Sequence, residues 1–143
     1  MRQFTIINLY SDMACEYDRV AKIRDAVDNK ELTVHFIEYD EYLEDKKITP
    51  KRKQGDLITG NVNIDLISYS RKEEKELIHN QSIPFSPHIE AIIEVSQIID
   101  KFTLIANTSI ISEHITINFE DEVDYRVGDK VLVNGSLELC DIV

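Results

Sequence analysis

Histidines, cysteines and clustered carboxylates are the side chains here whose types could do chemistry. His35, His79, His88 and His114 stand apart along the chain. Neither HxH nor HExxH can be written, so no metal site is expected. Cys15 and Cys140 lie near opposite ends without CxxC spacing and are read as two separate thiols. Cys15 follows Ser11 and Asp12, which offer a helix N-cap that would lower a thiol pKa, yet Asp12, Glu16 and Asp18 act the other way. It is read as a helix-packing thiol. GxSxG is absent, and glycines at 55, 60, 128 and 135 permit neither a P-loop nor GxGxxG. A carboxylate pair across neighbouring strands, Asp65 with Glu90 or Glu94, has no motif behind it. No catalytic residue and no cofactor are expected.

The carboxylates fall into two dense clusters. One holds Glu120, Asp121, Glu122 and Asp124; the other holds Glu38, Asp40, Glu41, Glu44 and Asp45. Neither carries the DxDxDG pattern of a calcium loop. The second runs into Lys46, Lys47, Lys51, Arg52 and Lys53 around Pro50, cations that compete with a metal. Both clusters are read as solvated segments available to a partner.

Charge distribution sharpens that reading. Residues 1–53 hold ten Lys and Arg against eleven Asp and Glu, and residues 54–143 hold six against sixteen. Nearly all of the net charge of -11 therefore belongs to the later part. Such a surface repels a phosphate backbone and attracts a basic one, so a basic protein partner is expected and nucleic acid is not. Tyrosines are present for base stacking, but basic residues do not interleave with them after residue 54. Small acidic proteins that neutralise basic toxins, as immunity and inhibitor proteins do, share this composition. The leading expectation is thus a protein-binding module. The alternatives are a small-ligand binder or enzyme using a β-barrel pocket, with Asn61, Asn63, Asp65 and Ser68 converging, and a homo-oligomeric structural subunit.

The elements that must position these residues follow from hydrophobic period and turn chemistry. Gln3–Tyr10 and Leu32–Tyr39 read as strands, rich in β-branched and aromatic residues. Between them Met13, Tyr17, Val20, Ile23 and Val27 fall at spacings of three and four, which predicts an amphipathic helix over 12–28. From Gly55 onward the pattern is β throughout. Strands are expected over 56–70, 89–99, 102–106, 115–119 and 131–142, with a hairpin turn at Asp100-Lys101. Asn134-Gly135 is either a type I′ turn or a kink within one long strand. The run Gly128-Asp129-Lys130-Val131, with Val133 and Gly135, resembles the turn-and-strand pattern of small closed β-barrels, OB-like ones among them. No internal repeat and no low-complexity segment is read.

The expected fold class is α+β. A small strand-helix-strand unit covers 1–45, a charged linker or loop 46–54, and an acidic, predominantly antiparallel β-barrel or curled sheet 55–143, with one domain from both parts as the alternative. No apolar run approaches the ~18 residues that cross a membrane. The stretch Phe4–Tyr10 is too short for a signal peptide, so the cytoplasm is the expected location.

Overall fold

The computed structural model describes residues 1–11, 18–38 and 52–143. Nine strands run through them: β1 Arg2–Ser11, β2 Asp18–Asp25, β3 Glu31–Ile37, β4 Leu57–Lys72, β5 His79–Asn80, β6 His88–Ile98, β7 Thr103–Asn107, β8 Ile115–Phe119 and β9 Lys130–Cys140. They form one sheet in the order β1-β2-β3-β9-β4-β8-β7-β6-β5, with β1 also pairing β4 and β9 also pairing β6. Those two extra pairings close the sheet on itself twice. One ring runs β1, β2, β3, β9, β4 and back to β1. The other runs β6, β7, β8, β4, β9 and back to β6. Each ring has one parallel contact, His35 of β3 with Glu138 of β9 and Asn63–Ile64 of β4 with Thr116–Ile117 of β8. Buried side chains from all parts of the described chain make a single cluster, including Phe4, Ile23 and Phe36 as well as Ile93, Ile117 and Leu137.

The expected α+β class is corrected, because no helix occurs among the described residues. Where a helix was predicted over 12–28, β2 occupies Asp18–Asp25 and residues 12–17 lie outside the described part. The reason is electrostatic. Burial along β2 alternates, with Arg19, Ala21, Ile23 and Asp25 facing inward. Two of those inward positions are charged, so the apolar pattern loses its period of two. The helical stripe that seemed to replace it includes Val27, which is 71% exposed in the turn after β2. Each inward charge is matched. Arg19 Nη1 donates to Glu38 Oε2 at 2.6 Å. Asp25 accepts a fork from Arg2, Nε to Oδ1 at 2.9 Å and Nη2 to Oδ2 at 2.7 Å. Arg2 also reaches Ser112 Oγ and Glu113 Oε2. The chain before β8 is thereby pinned to the end of the first ring.

The two rings repeat each other, which corrects the reading that the chain has no internal repeat. Residues 57–65 read Leu-Ile-Thr-Gly-Asn-Val-Asn-Ile-Asp, and residues 132–140 read Leu-Val-Asn-Gly-Ser-Leu-Glu-Leu-Cys. In each half a Gly-Asp turn precedes this segment. Gly55 and Gly128 sit at φ 94° and 93°. Asp56 Oδ2 accepts from the Lys53 N–H at 2.9 Å, and Asp129 Oδ2 from the Arg126 N–H at 2.8 Å. The Gly55 N–H donates to Ile6 O as the Gly128 N–H donates to Val95 O. Both segments end on a left-handed residue, Leu66 at φ 57° and Asp141 at φ 53°. β4 and β9 pair antiparallel, Asn61 opposite Cys140 and Asp65 opposite Ser136, so Asn63 and Glu138 meet on the axis that relates the halves.

Gly135 lies inside β9, so the chain there is one continuous strand and not a hairpin turn. A Cβ at Gly60 would stand 2.7 Å from Cys140 O, and one at Gly135 would stand 2.6 Å from Asp65 O. Both contacts are with backbone, which cannot swing aside. Gly135→Ala is therefore expected to destabilise the protein by about 1–3 kcal/mol, as over-packing does. Urea unfolding measures it, and an unchanged midpoint would contradict this close approach within the ribbon that β4 and β9 form.

Candidate functional site

Inward and outward residues alternate along the ribbon. The outward face of β4 carries Asn61, Asn63 and Asp65, and that of β9 carries Ser136, Glu138 and Cys140. β3 brings His35 against this face and β8 brings Asn118. The result is a row of half-buried polar side chains beside the β3–β9 contact. His35 Nδ1 is 2.6 Å from Glu138 Oε1, and its Nε2 is 2.8 Å from Asp18 Oδ1. Ser136 Oγ donates to Glu138 Oε2 at 2.7 Å. Asn118 Nδ2 donates to Asp65 Oδ1 at 2.7 Å, and Asn61 Nδ2 to Asp141 Oδ2 at 3.0 Å. Asn63 Nδ2 approaches Cys140 Sγ at 3.5 Å. A cavity of about 450 Å³ opens on this row, lined by His35, Arg52, Asp65, Glu138, Cys140 and Asp141.

The electrostatics follow from these contacts. Only an imidazolium donates from both ring nitrogens, so bonds to Glu138 first and Asp18 second, against the opposing effect of burial, lift the His35 pKa to about 9. Burial pushes the Cys140 thiol up to about 11, aided by Asp65, Glu138 and Asp141. The thiol stays protonated at neutral pH, which removes it as a nucleophile. Burial also raises Asp65, with Glu138 and Glu120 acting the same way and the Asn118 bond opposing.

The expected partner-binding residues are placed differently from one another. Glu120, Asp121, Glu122 and Asp124 follow β8 and are all exposed. None makes an ion pair or side-chain hydrogen bond among the described residues. The Val123 N–H donates to Lys101 O at 2.8 Å, which holds this loop against the β6–β7 turn. Ile98, Ile99 and Phe102 of that turn are 44%, 53% and 43% exposed. A shallow groove of about 810 Å³ lies between, lined by Ile98, Asp100, Lys101, Glu122, Asp124 and Tyr125. Glu38, by contrast, is buried and held by Arg19, with the Arg52 N–H on its other oxygen at 2.8 Å. Asp40, Glu41, Glu44 and Asp45 lie outside the described residues.

Asn61, Asn63 and Asp65 share one face, as a pocket requires, whereas Ser68 lies past the bulge at Leu66 and is exposed. His35, Glu138 and Asn118 were not singled out as a group from the sequence. Each occupies an outward position of an alternating strand, but only the register of β3 on β9 brings His35 to Glu138. Among the described residues no three His, Cys, Asp or Glu side chains come close enough to hold a metal. No helix there is long and apolar enough to cross a membrane.

Comparison with known protein families, with curated proteins and with solved structures finds no match to this chain.

The His35 contact makes a pH prediction. Its folded pKa lies above its ordinary 6.5, so its stabilisation is complete below that value and is lost as pH rises through about 9. The melting-temperature gap between the wild type and His35→Gln is expected to narrow between about pH 7 and pH 10. A gap that stays constant over that range would refute the charged clamp.

Proposed function

We propose that this chain is a protein-binding module that holds a basic partner, such as a toxin it neutralises, on the face built by the 120–124 loop and the β6–β7 turn. The observation that carries this reading is the pairing of unsatisfied charge with exposed apolar surface. Four exposed carboxylates that form no ion pair among the described residues flank Ile98, Ile99 and Phe102, with Lys101 the cation that shares their groove. Protein interfaces combine these ingredients in that way. Apolar and aromatic anchors supply the buried centre, and a charged rim speeds encounter and selects the partner. Tyr125 lines the groove between them, and its ring offers a surface on which a lysine or arginine can lie. The net charge of -11 draws a basic protein from a distance without favouring nucleic acid. A cytoplasmic location accords with this role.

The test is capture of a retained protein from host lysate, followed by titration with that protein once purified. The expected result is one basic protein, released as salt rises. Substituting Glu120, Asp121, Glu122 and Asp124 together by Lys should abolish its binding, and Ile98→Ser with Phe102→Ser should weaken it about tenfold or more. Undiminished binding by both variants would sink the assignment.

A further inference from the structure

A cavity of about 410 Å³ opens between β3 and β5 with the loop that follows it. Lys22 and Thr33 stand opposite each other on the outward faces of β2 and β3. Beyond Thr33 lies Gln81, whose side-chain amide pairs with that residue as a strand would. Its Oε1 accepts from the Thr33 N–H at 2.9 Å, and its Nε2 donates to the Thr33 carbonyl at 2.6 Å. The loop after β5 is thereby fixed beside β3, and Lys22, Thr33 and Gln81 all line the cavity. The local charge runs against the net charge of -11. Glu31 is the one carboxylate among the described lining residues, and Arg24 Nη2 meets it at 2.8 Å. Lys22 forms no ion pair or hydrogen bond among the described residues. Lys30, close by, donates to the Ser109 carbonyl at 2.7 Å and meets no carboxylate there. His79 also lines the cavity, with Nδ1 2.7 Å from Ser109 Oγ. Burial first, and the charge of Lys30 second, hold its pKa below the ordinary 6.5. The ring is therefore neutral at neutral pH, and its Nε2 has no partner among the described residues.

The same cavity carries a second, independent feature. Phe85 lines it at φ 61° and is 69% exposed. Left-handed backbone is an outlier for a bulky side chain, whereas Asn29 and Asp141 are of types that adopt it readily. Exposure of the ring leaves that strain without a matching gain in burial. The conformation is set locally, by Pro84 before it and by Ser86 Oγ, which accepts from the His88 N–H at 3.1 Å. Its result is placement. The Phe85 ring stands edge-on to Tyr10 with centroids 4.8 Å apart, and the half-exposed Ile83 extends this apolar side of the cavity. Strain of this kind, kept without a packing reason, is characteristic of ligand contacts.

We propose that this cavity binds a small aromatic carboxylate, with its charge at Lys22 and its ring against Phe85 and Ile83. The ammonium group supplies a charge-assisted hydrogen bond, and the ring meets Phe85 edge-on or offset. His79 Nε2 offers a further hydrogen bond to a polar group on the ligand without competing for the charge. A cation is a poorer fit, because the one lining carboxylate is already met by Arg24. A metal ion is a poorer fit, because the described residues bring no three ligating side chains together. An inorganic anion would leave the apolar side unused, and an uncharged ring would leave Lys22 unused. The volume of about 410 Å³ is that of a site for a small organic molecule. The same chemistry is offered by a free aromatic acid and by an aromatic residue at the carboxyl terminus of a partner.

The test is a titration followed through backbone amide signals of the full chain. The probes are para-hydroxybenzoate, its uncharged isostere para-hydroxybenzamide, acetate, and a tetrapeptide that ends in tyrosine with a free carboxylate. Saturable shifts at Lys22, Thr33, His79 and Phe85 are expected with para-hydroxybenzoate, at concentrations where acetate and the benzamide produce none. Lys22→Gln should weaken binding about tenfold or more. Phe85→Gly, which takes the left-handed conformation without strain and so keeps the loop, should also weaken it clearly. Reversal of the four carboxylates at 120–124 should leave it unchanged, which separates this site from the partner face. A free acid that binds as well as the peptide identifies a small ligand, and a markedly tighter peptide identifies a partner's terminus. Equal response to the benzamide, or binding unaltered by Lys22→Gln in a variant whose amide spectrum remains native, overturns the proposal.

Discussion

β4 and β9 must each serve two rings at once, and their antiparallel pairing from Asn61↔Cys140 to Lys72↔Val131 is what makes that arrangement hold. Each strand pairs one ring's meander along its first part and the other's along its later part. The ribbon can do this only if its two backbones come close on either side of the Asn63–Glu138 pair, where Gly60 stands against Cys140 and Gly135 against Asp65. The bulge between Asp65 and Tyr69, with Leu66 in a left-handed conformation, then turns β4 from one ring into the other. Closing both rings also satisfies strand edges that would otherwise invite pairing between molecules.

Closure comes from contacts far apart in the chain, such as Phe4 with Ile58 and His35 with Glu138. Local strand preference cannot supply the specificity such contacts need. Charged pairs supply part of it. Arg2 gathers Asp25, Ser112 and Glu113, and Arg19 gathers Glu38 and the Arg52 carbonyl. A buried guanidinium with its partner misplaced is strongly destabilising, so these pairs penalise a wrong register more than they reward the right one.

That use of charge explains what the sequence disclosed and what it hid. The strands after Gly55 were legible because their inward positions are apolar, as in Ile89, Ala91, Ile93 and Val95. β2 was not, because Arg19 and Asp25 hold inward positions that a hydrophobicity pattern counts as outward. The repeat was legible in principle. Gly-Asp followed by a Leu-(Ile/Val)-x-Gly segment occurs twice, but the second copy carries two extra residues between turn and segment, which breaks a simple self-alignment. The exposed cluster at 120–124 could be read directly, since a run of carboxylates after a strand has nowhere to go but solvent. The row at Asp65, Glu138 and His35 could not, because it exists only through the crossing of β3, β4 and β9.

Duplication accounts for where chemistry can accumulate in this fold. In a scaffold of two like halves, residues inside each ring are tied to packing and change together in type. Residues on the outward face of the ribbon are tied to neither core. Near the axis, side chains from both halves meet within one another's reach, so one substitution there alters a shared neighbourhood. Asn63 and Glu138 illustrate this: they face each other in the pairing, yet one is neutral and the other anchors His35. A site on the axis can therefore become asymmetric and charged without disturbing either core. The acidic loop lies beyond β8, and its Glu120 adds to the upward shift of Asp65 through space, so that one loop carboxylate is felt on the polar row.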